Sequence, residues 1–162
     1  MAHQLFAGLL TEGNTDNRFL ESVVTRAFHE IAFECRGDIE IEVIVLSKIA
    51  SHHFVEMVRQ AAAQGLAEFG IMILCVHTDA DAPSTQSVYE HKILPALEAL
   101  AQHDASTHCK VITPIVPVQM IEAWMLADVE LLKREIGTTK SDRELELDRL
   151  PESIADPKGV IR

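Results

Sequence analysis

The segment Gly70-Ile71-Met72-Ile73-Leu74-Cys75-Val76-His77-Thr78-Asp79-Ala80-Asp81 decides the fold. Ile71 to Val76 is an unbroken apolar run between a glycine and polar residues, the pattern of a central parallel strand buried on both faces. It is far shorter than the roughly 20 residues a membrane helix needs. Asp79 and Asp81 follow just past its end, where parallel sheets place their chemistry.

Upstream of this strand, Phe54 to Phe69 carries helical spacing through Val55, Val58, Ala62 and Leu66, and Gly70 marks the stop. Ile39 to Leu46 alternates Ile, Val and Glu as a half-exposed strand does. His3 to Leu10 reads as the first strand, and Thr11-Glu12-Gly13-Asn14-Thr15-Asp16 as the turn after it. A helix is expected from Asn17 to near Cys35, with Thr15 or Asp16 as its cap. Downstream, Ser87 to Gln102 is amphipathic, with a kink or break expected at Pro95. Lys110 to Val116 reads as a fourth strand, and Met120 to Ile136 as a last helix containing Trp124. The order β-α-β-α-β-α-β-α predicts an α/β, Rossmann-like sheet of about four mainly parallel strands, because each parallel crossover needs a connection of helical length. Residues 1–118 form the expected core and residues 119–162 a helical C-terminal extension.

The chain of 162 residues is 48% hydrophobic and 24% charged, which suits a folded globular domain. Without a signal-like N-terminus or a membrane span, it reads as cytoplasmic. Cys35, Cys75 and Cys109 are widely spaced among apolar neighbours, and reduced core thiols are expected. Only His52-His53 approaches the spacing of a zinc site, and it suits a solvated helix start better. The net charge of −11 argues against a protein that coats nucleic acid, since phosphate backbones repel an acidic surface. Carboxylates around a divalent cation escape that objection, because the ion inverts the local field.

In extended backbone, residues two apart point to one side, so Asp79 and Asp81 converge on one cation if strand geometry persists that far. Magnesium, with manganese as a substitute, is commonly held by one or two carboxylates, water and substrate phosphate. Glu12, at the end of the first strand, meets this pair if the first and third strands are neighbours, and would then transfer a proton. The same residues are also ordinary caps and turn formers.

Leu9-Leu10-Thr11-Glu12-Gly13-Asn14-Thr15-Asp16, with Phe19-Leu20 after it, resembles the first motif of Toprim domains, an apolar strand ending in a Glu-Gly turn. Ile73 to Asp81 resembles the second, an apolar strand ending in Asp-x-Asp. Pro117-Val118-Gln119-Met120-Ile121-Glu122-Ala123-Trp124-Met125-Leu126-Ala127-Asp128, with Asp156-Pro157-Lys158, is similar to the bacterial Toprim-like family labelled domain of unknown function 4276. The resemblance implies a magnesium-dependent nuclease related to the overcoming-lysogenisation-defect enzymes, with Glu12 as general acid or base and Asp79 and Asp81 as metal ligands. It also implies a nucleic acid substrate, DNA or RNA, and an ABC-type ATPase partner in anti-phage defence, with self-association into a homo-oligomer compatible. The family usually continues past the Arg162 at which this chain stops, so a missing C-terminal portion is expected.

Glu122 has three readings: a further metal ligand, a buried partner for a basic residue, or an exposed acid near a helix N-terminus. Trp124 lies on a different helical face and is expected in the core. Lys158 either contacts substrate or is an ordinary tail lysine. His77, beside the expected site, reads as structural or solvated and is not assigned to catalysis. A Toprim fold kept without turnover, as an interaction module, is the alternative function.

Overall fold

In a computed structural model, which describes residues 3–46, 49 and 51–161, the apolar segments form one four-stranded, all-parallel sheet. Its strands are β1 (His3–Leu10), β2 (Ile39–Val45), β3 (Ile73–His77) and β4 (Ile112–Ile115), in the order β2-β1-β3-β4. β1 is flanked on both sides: Leu9 pairs with Val45 of β2 and with Cys75 of β3. β3 is flanked likewise, by β1 and β4, with His77 opposite Ile115. The central position read for the Ile71–Val76 run therefore holds, although its first two residues are a connection and the strand extends to His77.

The helices are α1 (Asn14–Glu34), α2 (Phe54–Phe69), α3 (Gln86–Val88), a π-helical segment (Tyr89–Ile93), α4 (Leu94–Ala101), α5 (Ile121–Met125), α6 (Val129–Glu135) and α7 (Pro157–Ile161). α1 starts before the expected Asn17, with Gly13 as N-cap and Asp16 in its first turn, where a negative charge complements the helix dipole. α2 ends at Gly70, in left-handed backbone at φ 66°, whose N–H donates to the Leu66 carbonyl at 3.0 Å. Pro95 does not break its helix. Pro95 has no N–H for the His91 carbonyl, and the π-helical segment lies just before it, where the Leu94 N–H reaches back five residues to Tyr89. The last helix is split, contrary to expectation. Asp128 interrupts it and caps α6 by accepting the Leu131 N–H at 2.9 Å, because a short Asp side chain competes for backbone donors better than it continues a helix.

The chain forms two compact units. One comprises the chain up to Thr78 together with Val88–Ile115, and holds the sheet, α1, α2 and α4. Its core packs Val58, Ala61 and Ala62 of α2 and Leu100 of α4 against Leu74 and Val76 of β3. The Cδ1 of Ile71 lies where a Cβ on Gly8 or on Gly65 would sit, so these two glycines let α2 approach the sheet closely. The other unit comprises Asp79–Ser87 and the chain from Val116 onward, around a small core of Leu126, Leu147 and Ile154. The Asp79–Ser87 segment thus groups with the C-terminal helices.

Cys75 and Cys109 are buried, but Cys35, at the end of α1, is exposed and is not a core thiol. Its position at the helix C-cap carries it beyond the apolar face that α1 buries. Burial, with Cys109 nearby, pushes the Cys75 thiol up to about 11, and burial raises Cys109 as well. Thiolate is the reactive form. Under native conditions a thiol reagent is therefore expected to modify one cysteine, Cys35, and all three only in denaturant. Native modification of Cys75 would contradict this packing.

Candidate functional site

The connection from β1 leads to β2 on one side, and the connection from β3 leads to β4 on the other. The gap between the carboxyl ends of β1 and β3 is therefore the switch point at which open α/β sheets bind ligands. Glu12 follows β1 there, and Thr78 follows β3. The first and third strands are indeed neighbours, and the residue that Glu12 meets is Thr78. The Thr78 hydroxyl, fully buried, donates to Glu12 Oε1 at 2.5 Å. Lys92 Nζ donates to the same hydroxyl at 2.7 Å and to Glu12 Oε1 at 3.2 Å. A carboxylate, a hydroxyl and an ammonium are thus linked through one oxygen, each with a defined direction of donation.

Neither Thr78 nor Lys92 was singled out in the sequence. Lys92 lies in the π-helical segment, and π-helical turns inside α-helices recur at functional sites. A signal was present: Lys92 is the sole lysine or arginine between Arg59 and Lys110.

Beside this group is a cavity of about 390 Å³ lined by Glu12, His52, His53, Phe54, Met57 and Lys92. His53 is the N-cap of α2, so the histidines do mark a helix start, and they also border the cavity beside Glu12. The Lys92 ammonium lies over the Phe54 ring, 5.5 Å from its centroid, a cation–π arrangement. On the same helix, hydrogen bonds from Arg59 and Gln60 hold the Glu56 carboxyl down at about 2. Its contribution to stability is present above the ordinary carboxylate range and is lost as pH falls toward that value. On the opposite side of the sheet from α2, buried His77 places Nδ1 3.9 Å from Asp16 Oδ2.

The other expected residues belong to the second unit. The strand geometry that would align Asp79 with Asp81 ends at His77. Ala80 and Asp81 donate their N–H groups to the carbonyls of Pro117 and Gln119 at 3.0 and 3.1 Å. Asp79 Oδ1 accepts the Ile121 N–H at 3.1 Å, at the first turn of α5. Asp81 is exposed and in left-handed backbone at φ 48°, a conformation that Asp tolerates better than most residues. Glu122 is mostly buried and pairs through Oε1 with Lys158 Nζ at 3.4 Å, which matches the reading of a buried partner for a basic residue. Trp124 is partly buried, and its indole N–H donates to Glu152 Oε1 at 2.6 Å. Glu152 also accepts the N–H groups of Val118 and Gln119, and so fastens the approach to α5.

Among the described residues, no group of three or more His, Cys, Asp or Glu side chains is arranged to hold a metal ion. Magnesium requires less, since one or two carboxylates with water and substrate oxygens suffice. Asp79, Asp81 and Glu122 offer only oxygen donors, and buried Glu122 Oε2 has no hydrogen-bond partner among the described residues. Each of these side chains has the donor chemistry a hard divalent cation takes, although the three do not form one group around a common point. No described helix is long and apolar enough to cross a membrane. Compared with family models, characterised proteins and solved structures, the chain gives no significant match.

Proposed function

We propose that this chain is a magnesium-dependent, Toprim-like enzyme that hydrolyses phosphodiester bonds in nucleic acid. The observation that carries the reading is the Glu12–Thr78–Lys92 group at the switch point between β1 and β3. A carboxylate there accepts or returns a proton, and a neighbouring ammonium offsets charge on a phosphate oxygen. The buried Thr78 hydroxyl fixes the carboxylate rotamer while it accepts from Lys92. Asp79, Asp81 and Glu122 are the residues that would hold magnesium, which polarises a phosphoryl oxygen and activates water when bound.

A net charge of −11 gives poor capture of a polyanion, so the effector role in anti-phage defence relies on a larger partner, an ABC-type ATPase, to bring substrate. One observation favours the alternative of a fold kept without turnover: Asp79 already serves α5 through a backbone N–H. Incubating the purified chain at low salt with labelled DNA and RNA, with magnesium, manganese or chelator, and with or without the ATPase, separates the two. Metal-dependent cleavage is the expected outcome. Its absence under all of these conditions, in a chain whose circular dichroism melt shows it folded, would leave the interaction module.

A further inference from the structure

We infer that the cavity lined by Glu12, His52, His53, Phe54, Met57 and Lys92 is a subsite for one unpaired nucleotide, with its base on the Phe54 ring and its phosphate on Lys92, on the side of the ammonium away from the Glu12 carboxylate. The inference rests on the proposed action on nucleic acid and adds the form of the substrate. Phe54 is the first residue of α2 and is only partly buried, with its inner part packed on the core. The ammonium of Lys92 lies over its ring, 5.5 Å from the centroid, and both side chains line the cavity. An aromatic face open to a cavity binds a base by stacking, whatever the base, because every base has a π-face.

The polar side of the cavity supplies the second half of a nucleotide. The Lys92 side chain is about two-fifths exposed, and its ammonium donates to Thr78 at 2.7 Å and to Glu12 at 3.2 Å. A phosphate oxygen replaces that longer contact with a charge-assisted hydrogen bond and leaves the Thr78 bond in place. As the ammonium turns toward the phosphate it moves off the ring, and the base takes its place. His52 and His53 line the same cavity and add hydrogen-bond donors to it. The cavity, about 390 Å³, lies within one compact unit and combines an apolar floor with a few polar groups, the usual character of a small-molecule subsite. A duplex base has both faces stacked and its edge paired, so entry requires a strand that is single or locally opened.

The test uses the full chain in chelator at low salt, so it does not depend on metal or on cleavage. Adenosine 5′-monophosphate, adenosine and inorganic phosphate are titrated by calorimetry or ligand-observed NMR. The nucleotide is expected to bind more tightly than either part. Phe54→Leu is expected to weaken the nucleotide about tenfold and leave inorganic phosphate unchanged. Lys92→Gln is expected to weaken nucleotide and phosphate about tenfold and leave adenosine unchanged. Phe54→Trp guards against misfolding, since it keeps affinity and its emission is quenched on binding. A single-stranded oligonucleotide displaces the nucleotide, and the same sequence as a duplex does not. Nucleotide affinity that is no better than that of phosphate, or that is insensitive to both Phe54→Leu and Lys92→Gln, would overturn the subsite. Equal competition by duplex would overturn the unpaired form. Nucleotide binding without any metal-dependent cleavage would instead remove the proposed reaction and keep the subsite.

Discussion

Under the proposed function, Glu12→Gln is expected to leave the chain folded and to lower metal-dependent phosphodiester cleavage by about 10²- to 10⁴-fold, the range in which a single positioned acid or base acts. The substitution keeps the size of the side chain, and an amide oxygen still accepts from the Thr78 hydroxyl. What disappears is the proton acceptor and the countercharge of Lys92. The pair with Lys92 is two-fifths exposed, and pairs of that kind contribute about 0–1 kcal/mol, so thermal stability is expected to change little. Thr78→Val separates positioning from chemistry: it keeps the carboxylate and removes its anchor, so a smaller loss is expected, with the metal dependence retained. Rates measured under single-turnover conditions decide the matter. Cleavage by Glu12→Gln within about twofold of the parent would mean that the carboxylate transfers no proton.

The second large effect concerns stability. Ile71→Ala is expected to cost about 2–5 kcal/mol, the usual range for truncating a buried isoleucine. Ile71 is 1% exposed, and its Cδ1 occupies the space left by Gly8 on β1 and Gly65 on α2. Gly65→Ala approaches the same atom from the other side. A Cβ there would overlap Ile71 Cδ1 and meet its Cγ1 at 3.0 Å and Leu46 Cδ1 at 3.2 Å. Overpacking of this kind costs about 1–3 kcal/mol and outweighs the roughly 1 kcal/mol that alanine gains over glycine in a helix. Ile71→Val removes Cδ1, so the double substitution Gly65→Ala with Ile71→Val is expected to be more stable than the sum of the single changes. Urea melts of the four proteins give the coupling directly. Additive behaviour would show that Ile71 does not limit the approach of α2.

The identity of the strands and helices was legible because it depends on local pattern. The run through Ile73, Leu74, Cys75 and Val76 could be satisfied only by burial on both faces, and Gly70 could end α2 because it adopts left-handed backbone without a steric penalty. Four alternating βα pairs then restrict the sheet to parallel strands. The position of Glu12 at the carboxyl end of β1 was legible because it follows a strand in a turn. The break at Asp128 was present in the sequence as a helix-capping residue, but apolar spacing on both sides concealed it, since α5 and α6 continue one period.

The sequence by itself determined the α/β class, the parallel sheet and the placing of Glu12 and Asp79 after strand ends, because periodicity, turn chemistry and crossover length are properties of short segments. Tertiary structure alone decided that β1 and β3 are neighbours, that Thr78 donates to Glu12, and that Lys92 joins them, 80 residues after Glu12 and 14 after Thr78. It also decided that Asp79 caps a helix 42 residues later and that one carboxylate oxygen of Glu122 pairs with Lys158. Partners of this kind are chosen by strand order and helix register, which no local pattern encodes. A charged side chain near the end of a strand can be recognised from its neighbours in the chain, whereas the group it finally touches depends on which other segments the completed sheet brings alongside.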